Sequence, residues 1–443
     1  MPVISSDSLQ LSAVVETSPG VTPANPAFNV WRTTGESLVF APQTSESGEI
    51  GGSGRSAKPS NVTGFQINGD ISFELADFPA LKQAIAGVLA GNWGECPLTG
   101  APGGAIDSDK RVTVGKTLIT VTIEKRFPST AFTPGAVPKV VAGASGAATV
   151  DLTFTGPGAV GTGMVVIDVQ VNAGTKHHVT VNTIVGDDAA AVATKVATAL
   201  NKLGDIGAAA VAGVVTITPA PAGNVDLINA RAGNDEYLYQ RYKGCTYSAI
   251  SFSVSPNSTV TGSVTVVGGE PELDILPLAG ATYVAAGNNP VYTAPEVMAA
   301  SFGAMGLSTH CWTDLSINID SANRGVPCIG SKGDREVVLG TLSAEVSGTL
   351  YFQDHTILQA LLDNSSMGDS VVTFSNSAND IMRFDFFGMK PISGQVAAGG
   401  AGQDLTIPAS FQPTPVKVCQ DAAGTPWDSG LIISTEDTAP TLP

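Results

Sequence analysis

The sequence predicts a mainly β protein that has two related domains of antiparallel sheet, each with one short helix, and a small inserted α+β domain. Three observations lead to this prediction. Apolar and polar residues alternate over most of the chain, in runs rich in Val, Ile, Thr and Phe. Only three segments place apolar residues at helical spacing. One strand-and-helix pattern occurs twice, and a stretch of different composition separates the two copies.

The first half reads as antiparallel sheet with one exposed face. The alternating runs lie at 38–42, 65–75, 116–127, 246–256 and 259–268. Residues 77–93 predict a helix, because Phe78, Leu81 and Ile85 fall on one face. Asp77 is expected to cap the first N–H groups, and Pro79 suits the first turn, where a missing donor costs nothing.

The strand-and-helix pattern recurs in the second half. The strand at 66–75, with Gly69 near its centre, runs into the first helix, and the strand at 344–353, with Gly348, runs into a second predicted helix at 354–364 capped by Asp354. A long polar, glycine-rich loop precedes each strand, at 43–62 and at 320–338. The later segment YKGCTYSAI at 242–250 is expected to match FFGMKPIS at 386–393. We therefore predict a duplicated domain.

A different composition between the halves predicts an inserted domain. Residues 137–230 are rich in Ala, Val, Gly and Thr, and a helix is expected at 187–204 with Asp187 or Asp188 as its cap. Strands of the insert are expected at 147–156, 163–171, 178–186 and 211–220. The predicted division is an N-terminal arm 1–34, a first domain 35–128 and 235–270, the insert 137–230, a linker 271–304, a second domain 305–415 and a loose C-terminal tail 416–443.

Charge and composition exclude several classes of protein. The chain of 443 residues carries 22 Lys and Arg against 39 Asp and Glu, a net charge of −17. A chain with this excess of negative charge is poorly suited to binding nucleic acid. No apolar run is long enough for a membrane-spanning helix, and the first residues do not resemble a secretory leader. Five widely spaced cysteines argue against a disulfide scaffold and fit a reducing compartment.

The sequence motifs that could indicate a catalytic, metal-binding or nucleotide-binding site do not identify one. Adjacent His177 and His178 are expected on opposite faces of a strand, and the pair His310–Cys311 is not by itself a nucleophile and base. GPGAVG at 156–161 precedes a strand rather than the helix that a dinucleotide site needs, and GVPCIGSK at 325–332 departs from a phosphate loop in the same way. We predict no enzyme activity, no metal and no cofactor.

The segment 31–93 resembles the opening of the major tail tube proteins of long-tailed, non-contractile bacteriophages. The shared features are the lead-in Arg-Thr-Thr-Gly-Glu-Ser, a strand, a long polar loop, a glycine-interrupted strand and a short helix ending near Trp93. Residues 316–411 are similar to the repeated tube domain of that family. The stretch 145–225 resembles a small module of phage structural proteins.

This resemblance implies a structural subunit of the virion tail, assembled in the host cytoplasm. In the family a β-sandwich contributes strands to a closed barrel around a channel, and rings stack into a tube. Two such domains in one chain imply homotrimeric rings. The implied partners are the chain itself, the tape measure, the tail terminator and baseplate or tip proteins, with DNA only as transient, unbound cargo in an acidic channel.

The two polar loops are the predicted contacts between subunits or rings. Each mixes both charges, and their matched position in the two halves favours an interface over simply solvated loops. The predicted contact residues are Glu46, Glu49, Arg55, Lys58, Arg324, Lys332, Asp334 and Arg335.

An alternative is a fibre or adhesin-type β protein of a phage that binds a host surface glycan. Fibres typically have short-period repeats, and glycan sites use aromatic platforms. The chain has no such repeat, and aromatic residues are only 6% of it. The sequence therefore favours the tube subunit.

Overall fold

The computed structural model describes most of the chain. The described residues are 6–46, 60–94, 110–128, 139–142, 148–155, 163–172, 176–184, 186–220, 222–233, 237–274, 277–302, 305–306, 310–329, 333–376, 380–398, 400, 402–420 and 426–436.

In the part of the chain that the structure describes, the protein is mainly β, as predicted. The α-helices are α1 (Pro79–Leu89), α2 (Ala189–Leu200) and α3 (Thr356–Leu362). The strands before the insert are β1 (Gln10–Val15), β2 (Ala27–Val30), β3 (Thr33–Glu36), β4 (Val39–Glu46), β5 (Ser60–Glu74), β6 (Arg111–Thr113) and β7 (Val121–Pro128). Those of the insert are β8 (Lys139–Ala142), β9 (Val150–Thr155), β10 (Gly163–Val171), β11 (Lys176–Thr183), β12 (Ile206–Val211), β13 (Val214–Pro219) and β14 (Val225–Gly233).

The remaining strands follow the insert. They are β15 (Tyr237–Val254), β16 (Thr261–Val267), β17 (Glu270–Asp274), β18 (Thr282–Val284), β19 (Val297–Phe302), β20 (Met305–Gly306), β21 (Trp312–Asp320), β22 (Arg324–Pro327), β23 (Asp334–Val338), β24 (Ser343–Tyr351), β25 (Gly368–Ser375), β26 (Ile381–Gly394), β27 (Ala397–Ala398), β28 (Leu405–Gln412), β29 (Val416–Gln420), β30 (Pro426–Ser429) and β31 (Leu431–Glu436).

All three predicted helices form, but their caps differ from expectation. The predicted cap Asp77 of α1 is wrong: Phe78 holds the cap position without a side-chain bond, and Asp77 pairs with Lys82 at 2.9 Å. In α2 the cap is Asp188, whose carboxylate accepts the Ala191 N–H. The cap residue is the one that immediately precedes the first helical residue, and the helical periodicity does not locate that residue.

At α3 the cap position belongs to His355, not to the predicted Asp354. Asp354 nonetheless accepts the N–H of Thr356 at 2.9 Å, so its carboxylate still satisfies one donor of the first turn. This bond is the main reason that the pKa of Asp354 is lowered, and nearby His310 adds to the effect. The prediction was one residue from the observed cap.

The insert packs two small sheets around α2. One sheet has the order β11–β10–β14 and the other β12–β13–β9–β8. Val192, Val196 and Leu200 of α2 are buried in an apolar cluster formed within the insert. Strands β8, β12 and β14 did not emerge from the sequence; β12 reads IGAAAV, whose alanines have weak strand preference.

One long antiparallel sheet runs through both halves of the protein. Its strand order is β4, β5, β16, β15, β21, β24, β28, β26, with β3 and β27 extending its two ends. The series of strand pairings runs from β4 to β26, and no pairing between described strands joins its two ends. Strand β15 pairs with β21, so the two halves are joined at the middle of the sheet.

Two strands bend so that each belongs to two sheets. Residues 237–242 of β15 pair with β7 and β17, whereas its residues 246–254 pair with β16 and β21. Strand β26 likewise pairs with β25 and β31 before its bend and with β28 after it. Gly244 (φ 73°) and Gly388 (φ 54°) lie at the two bends, in the left-handed region that favours glycine. The predicted match between 242–250 and 386–393 thus describes the same bend in both halves.

The two halves also share the positions of their register irregularities. The matched pairs are Thr33/Gly35 in β3 with Trp312/Asp314 in β21, and Tyr247/Ala249 in β15 with Pro391/Ser393 in β26. Bulges are local features of register, so their coincidence aligns the halves residue by residue. In this alignment Gly348 stands at the position of Ile71, so the two central glycines that suggested the repeat are not equivalent.

The segments expected to be a linker and a loose tail contain strands that pack on the body. In 271–304, Tyr292 is fully buried and Tyr283 stacks on Phe28 with ring centroids 5.7 Å apart. In 416–443, β31 is buried and pairs with β26 and with β6 of the first half. The expectation of a loose tail is therefore wrong for β31, whose LIIS run is short but wholly apolar at its start.

Candidate assembly surface

The long sheet has one apolar face and one polar face. Its apolar face is buried, and Ile71, Phe252, Ile317, Val346 and Phe411 from five strands belong to one core cluster that spans both halves. Period-two alternation explains the division, because successive side chains of a strand point to opposite faces. The residues that alternate with these core residues along each strand form the polar face.

Small polar and acidic side chains cover most of the polar face, which also includes Val267, Ala249, Tyr351 and Pro408. Its residues are Asn68, Asp70, Ser72 and Glu74 in β5; Thr261, Ser263 and Thr265 in β16; Ala249, Ser251 and Ser253 in β15; Asp314, Ser316, Asn318 and Asp320 in β21; Ser343, Glu345, Ser347 and Thr349 in β24; Thr406, Pro408 and Ser410 in β28. One row runs straight across five strands as Ser72, Ser263, Ser251, Asn318 and Glu345.

Charge on this face has a single sign over six strands. Strands β5, β16, β21, β24 and β28 and residues 246–254 of β15 contain no Lys or Arg. The carboxylates of the face are Asp70, Glu74, Asp314, Asp320 and Glu345. The adjoining β26 places Lys390 opposite Gln412 at the end of the sheet.

Hydrogen bonds fix three of these carboxylates. Asp70 accepts the hydroxyl of Thr265 at 2.7 Å, Asp314 accepts the N–H of Thr349 at 3.1 Å and Asp320 accepts the N–H of Ala322 at 2.7 Å. Their charges are thus held in place on the polar face. Negative charges held in place on one face repel phosphate.

The predicted contact residues that the structure describes lie on two hairpins. Strands β4 and β5 continue towards each other until Glu46 lies opposite Ser60, and Glu46 is exposed. Strands β22 and β23 form the second hairpin, with Arg324 exposed at its start and Asp334 half-buried. Burial raises the pKa of Asp334 above its usual value. Glu49, Arg55, Lys58 and Lys332 lie outside the described residues, as does the side chain of Arg335.

The two hairpins lie side by side. A cavity of about 410 Å³ separates them, lined by Gln43, Thr63 and Phe65 from the first and by Arg324 and Asp334 from the second. The structure thus brings Arg324 and Asp334 to the β4–β5 hairpin, whereas Glu46 lies beyond the residues that line the cavity.

A buried charge network under the first half was not foreseen. Arg241 is fully buried and binds Glu124, also fully buried, at 2.7 Å, and Glu272 and Asp274 at 3.1 Å each. Tyr283 donates its hydroxyl to Glu124 at 2.7 Å. In EPELD at 270–274 every second residue is acidic, which indicates a charged strand face. The basic partner Arg241 lies too far away in the chain to be matched with these residues by sequence.

The network also holds Glu272 ionised. Burial alone would raise the pKa of Glu272, yet the positive charges of Lys243 and Arg241 lower it below its usual value. Burial, and then the neighbouring Glu124, raise the pKa of Tyr283. The network ties β7, β15, β17 and β18 together, so its role is structural.

The histidines of the insert have separate partners. His177 contacts Asp205 at 2.8 Å and His178 contacts Asp168 at 2.5 Å, as expected for neighbours on opposite faces of a strand. Within the described part of the chain, no group of three or more His, Cys, Asp or Glu is arranged to hold a metal ion. The motif GPGAVG at 156–161 lies outside the described residues, and 325–329 belongs to the second hairpin. No helix in the described ranges is long and apolar enough to cross a membrane.

These features define a class of protein: a β-sheet scaffold with one extended polar face. Comparison with known families makes the assignment specific. The family model described as phage tail tube protein matches residues 6–413. The chain therefore belongs to the phage tail tube protein family, and it is a structural subunit of a bacteriophage tail, hence a component of the virion. No curated protein matches the chain.

Proposed function

We propose that this subunit forms homotrimeric rings that stack into a tube, and that the polar face of the long sheet lines the channel through which DNA passes. The observation that carries this proposal is the single-sign charge of that face over six strands. DNA that moves through a channel must not be held there, and every Lys or Arg on the wall would bind a phosphate and release its counterions. Carboxylates among small hydroxyl side chains give a wetted wall that repels phosphate.

The internal repeat supports three chains in a ring. Each chain contributes two sets of four strands to the sheet, in the same order and with the same bulges. We assign these sets to two tube domains, 35–128 with 235–270 and 305–415, with 137–230 inserted into the first. At about 4.8 Å per strand, three chains of eight strands enclose a circle of backbone about 37 Å across, and strand tilt widens it further.

The proposed partners follow from a tube of this kind. The subunit assembles in the host cytoplasm with itself, and the tube ends and interior meet the terminator, the baseplate or tip proteins and the tape measure. The two hairpins that flank the 410 Å³ cavity supply contacts between subunits or rings. The subunit has no catalytic role in this proposal.

Electron microscopy of the purified protein at high concentration tests the assembly. Stacked rings or hollow tubes with three chains per ring are expected. Discrete monomers, or elongated trimers that never stack, would contradict the proposal and favour the fibre or adhesin alternative.

Charge reversal tests the assignment of the channel wall. The double variant Glu74→Lys/Glu345→Lys is expected to form normal tubes that retain short duplex DNA at low salt, because each ring then carries new cations on the wall. The matched control Asp151→Lys/Asp226→Lys makes the same charge change on the insert and should leave the tubes without DNA. Cosedimentation over a salt series measures both. Equal DNA binding by the two variants would refute the assignment, and reduced DNA ejection by virions carrying only the first variant would support it.

A further inference from the structure

The long sheet is made of two equivalent four-strand units placed side by side. The first unit has the order β3/β4, β5, β16, β15, and the second has the order β21, β24, β28, β26/β27. Strands β3 and β4 keep one register against β5, with Glu36 opposite Ile71 and Val39 opposite Asn68. Strands β26 and β27 likewise keep one register against β28.

One joint between the units is visible within the chain. The last strand of the first unit, β15, pairs with the first strand of the second unit, β21. In this joint Ser251 lies opposite Asn318 on the polar face, and Phe252 lies opposite Ile317 on the buried face.

Each end of the long sheet has a strand edge with no partner strand among the described residues. These two outer edges are equivalent to the two edges that meet in the internal joint. At one end, β3 and β4 pair only with β5 in the described part of the chain. At the other end, β27 and residues 390–394 of β26 pair only with β28 among the residues described. The alignment of the halves makes the first edge equivalent to β21 and the second equivalent to residues 246–254 of β15.

We propose that the β26/β27 edge of one chain pairs with the β3/β4 edge of a second copy in the register of the internal joint. This inference rests on the proposed function and specifies how its rings are joined. The matched bulges fix the register: Ser251 corresponds to Gln395 and Asn318 to Val39, so Gln395 lies opposite Val39 of the second copy. By the same step Gly394 lies opposite Phe40, and Val396 lies opposite Leu38.

Side-chain exposure at the two edges agrees with this joint. On the core face, Phe40 of one edge and Val396 of the other are half-buried apolar residues that pack against the core cluster. Incompletely buried apolar residues on an edge strand favour pairing with another chain. Side-chain volumes agree as well: where Ile250 meets Ile319 in the internal joint, Gly394 would meet the larger Phe40. The core face of the sheet would thus continue from one chain to the next.

Repeating this joint from chain to chain can produce a closed ring. The two edges of a chain differ, so each contact is head to tail, and such contacts form a ring when the rotation closes. In a ring of three, the covalently connected β15–β21 joint and the β26–β4 joint alternate around the barrel.

Cysteine crosslinking of assembled tubes tests the register. Val39→Cys/Gln395→Cys is expected to give dimers and trimers on a non-reducing gel, because directly opposite residues have Cβ atoms about 4.5–5.5 Å apart. Bands that stop at the trimer support a closed ring of three, whereas bands that continue beyond it contradict that closure. The unsubstituted chain, oxidised in parallel, shows the contribution of the native cysteines.

Matched variants separate this joint from other contacts. Ser251→Cys/Asn318→Cys, the same pair at the internal joint, should consume both thiols and remain monomeric on the gel. Val39→Cys/Gln412→Cys moves one cysteine to the neighbouring strand and away from the register, and it should not crosslink. A mixture of the single variants Val39→Cys and Gln395→Cys should give dimers only, while either variant alone gives none.

The proposed joint and the proposed function can fail separately in these experiments. Tubes in the microscope without a crosslink between positions 39 and 395 would overturn the proposed joint and leave the tube assignment intact. Failure of the unsubstituted chain to form any tube would contradict the proposed function, and the joint with it. If the double variant does not assemble, the mixed single variants give the same answer.

Discussion

Arg241 shows how single residues hold the strands of the first half together. Its guanidinium is fully buried and binds three carboxylates on β7 and β17. A buried ion pair is stable only while every member is partnered, since each charge has lost its hydration. Glu124, also fully buried, depends on this arginine and on Tyr283.

We predict that Arg241→Ala lowers the free energy of unfolding by about 3–5 kcal/mol, because Glu124 is left as a buried charge without its cation. Denaturant unfolding followed by circular dichroism measures the change. The control Lys195→Ala removes a more exposed pair with Asp187 on the insert and should cost less than about 1 kcal/mol. Equal losses in both variants would show that the network contributes no more than a surface pair.

At the level of elements, the bends of β15 and β26 determine the architecture. Each strand enters the long sheet only because its backbone turns at a glycine with positive φ, Gly244 or Gly388. The bends allow one strand to contribute to two sheets, and they lie at equivalent positions in the two halves. Of the matched bulges, Tyr247/Ala249 in β15 and Pro391/Ser393 in β26 follow these bends directly.

Gly244→Val is expected to lower the free energy of unfolding by about 1–2 kcal/mol or more, because a β-branched residue is strained in the left-handed region. Gly244→Asn should cost less, since asparagine tolerates that region. As a control, Gly204→Val at a turn with open space around it should change stability by about 0.5 kcal/mol or less. Thermal unfolding of the three variants tests the order, and equal stability of the valine and asparagine variants at 244 would contradict it.

At the level of the whole molecule, the insert is a separate addition to the first half. It has its own apolar cluster around α2, and its described strands pair only with one another. Its two ends meet at neighbouring positions, because Pro128 of β7 lies opposite Tyr237 of β15. An insertion between adjacent strand ends leaves the sheet around it unchanged.

We expect that replacing residues 137–230 by a short Gly/Ser bridge leaves a soluble, folded chain that still forms tubes, because β7 and β15 then become an ordinary hairpin. Size-exclusion chromatography, circular dichroism and electron microscopy test this. Loss of soluble protein would show that the insert supports the core. Soluble protein without tubes would show instead that the insert takes part in assembly.

Much of this protein can be inferred from sequence alone. Alternation predicted the mainly β class, helical spacing found all three helices, and the lead-in and repeated pattern pointed to the tail tube family. These signals are local, since the period of two or of 3.6 residues is set by the backbone itself. The same alternation divides each strand into two faces, so the polar residues of the long sheet were already separated from the core.

Only the tertiary structure decided which strands are neighbours. Arg241 and Glu124 are 117 residues apart in the chain, and β31 and β6 about 320, so no local pattern connects them. Strand pairing is chosen by the packing of the whole core, and a sequence period records the face of a residue but not its partner. For that reason the alignment of Asp70, Asp314, Asp320 and Glu345 on one face of the sheet emerged only from the folded chain. The same holds for the two sheet edges, at β4 and β26, that have no partner strand in the described part of the chain.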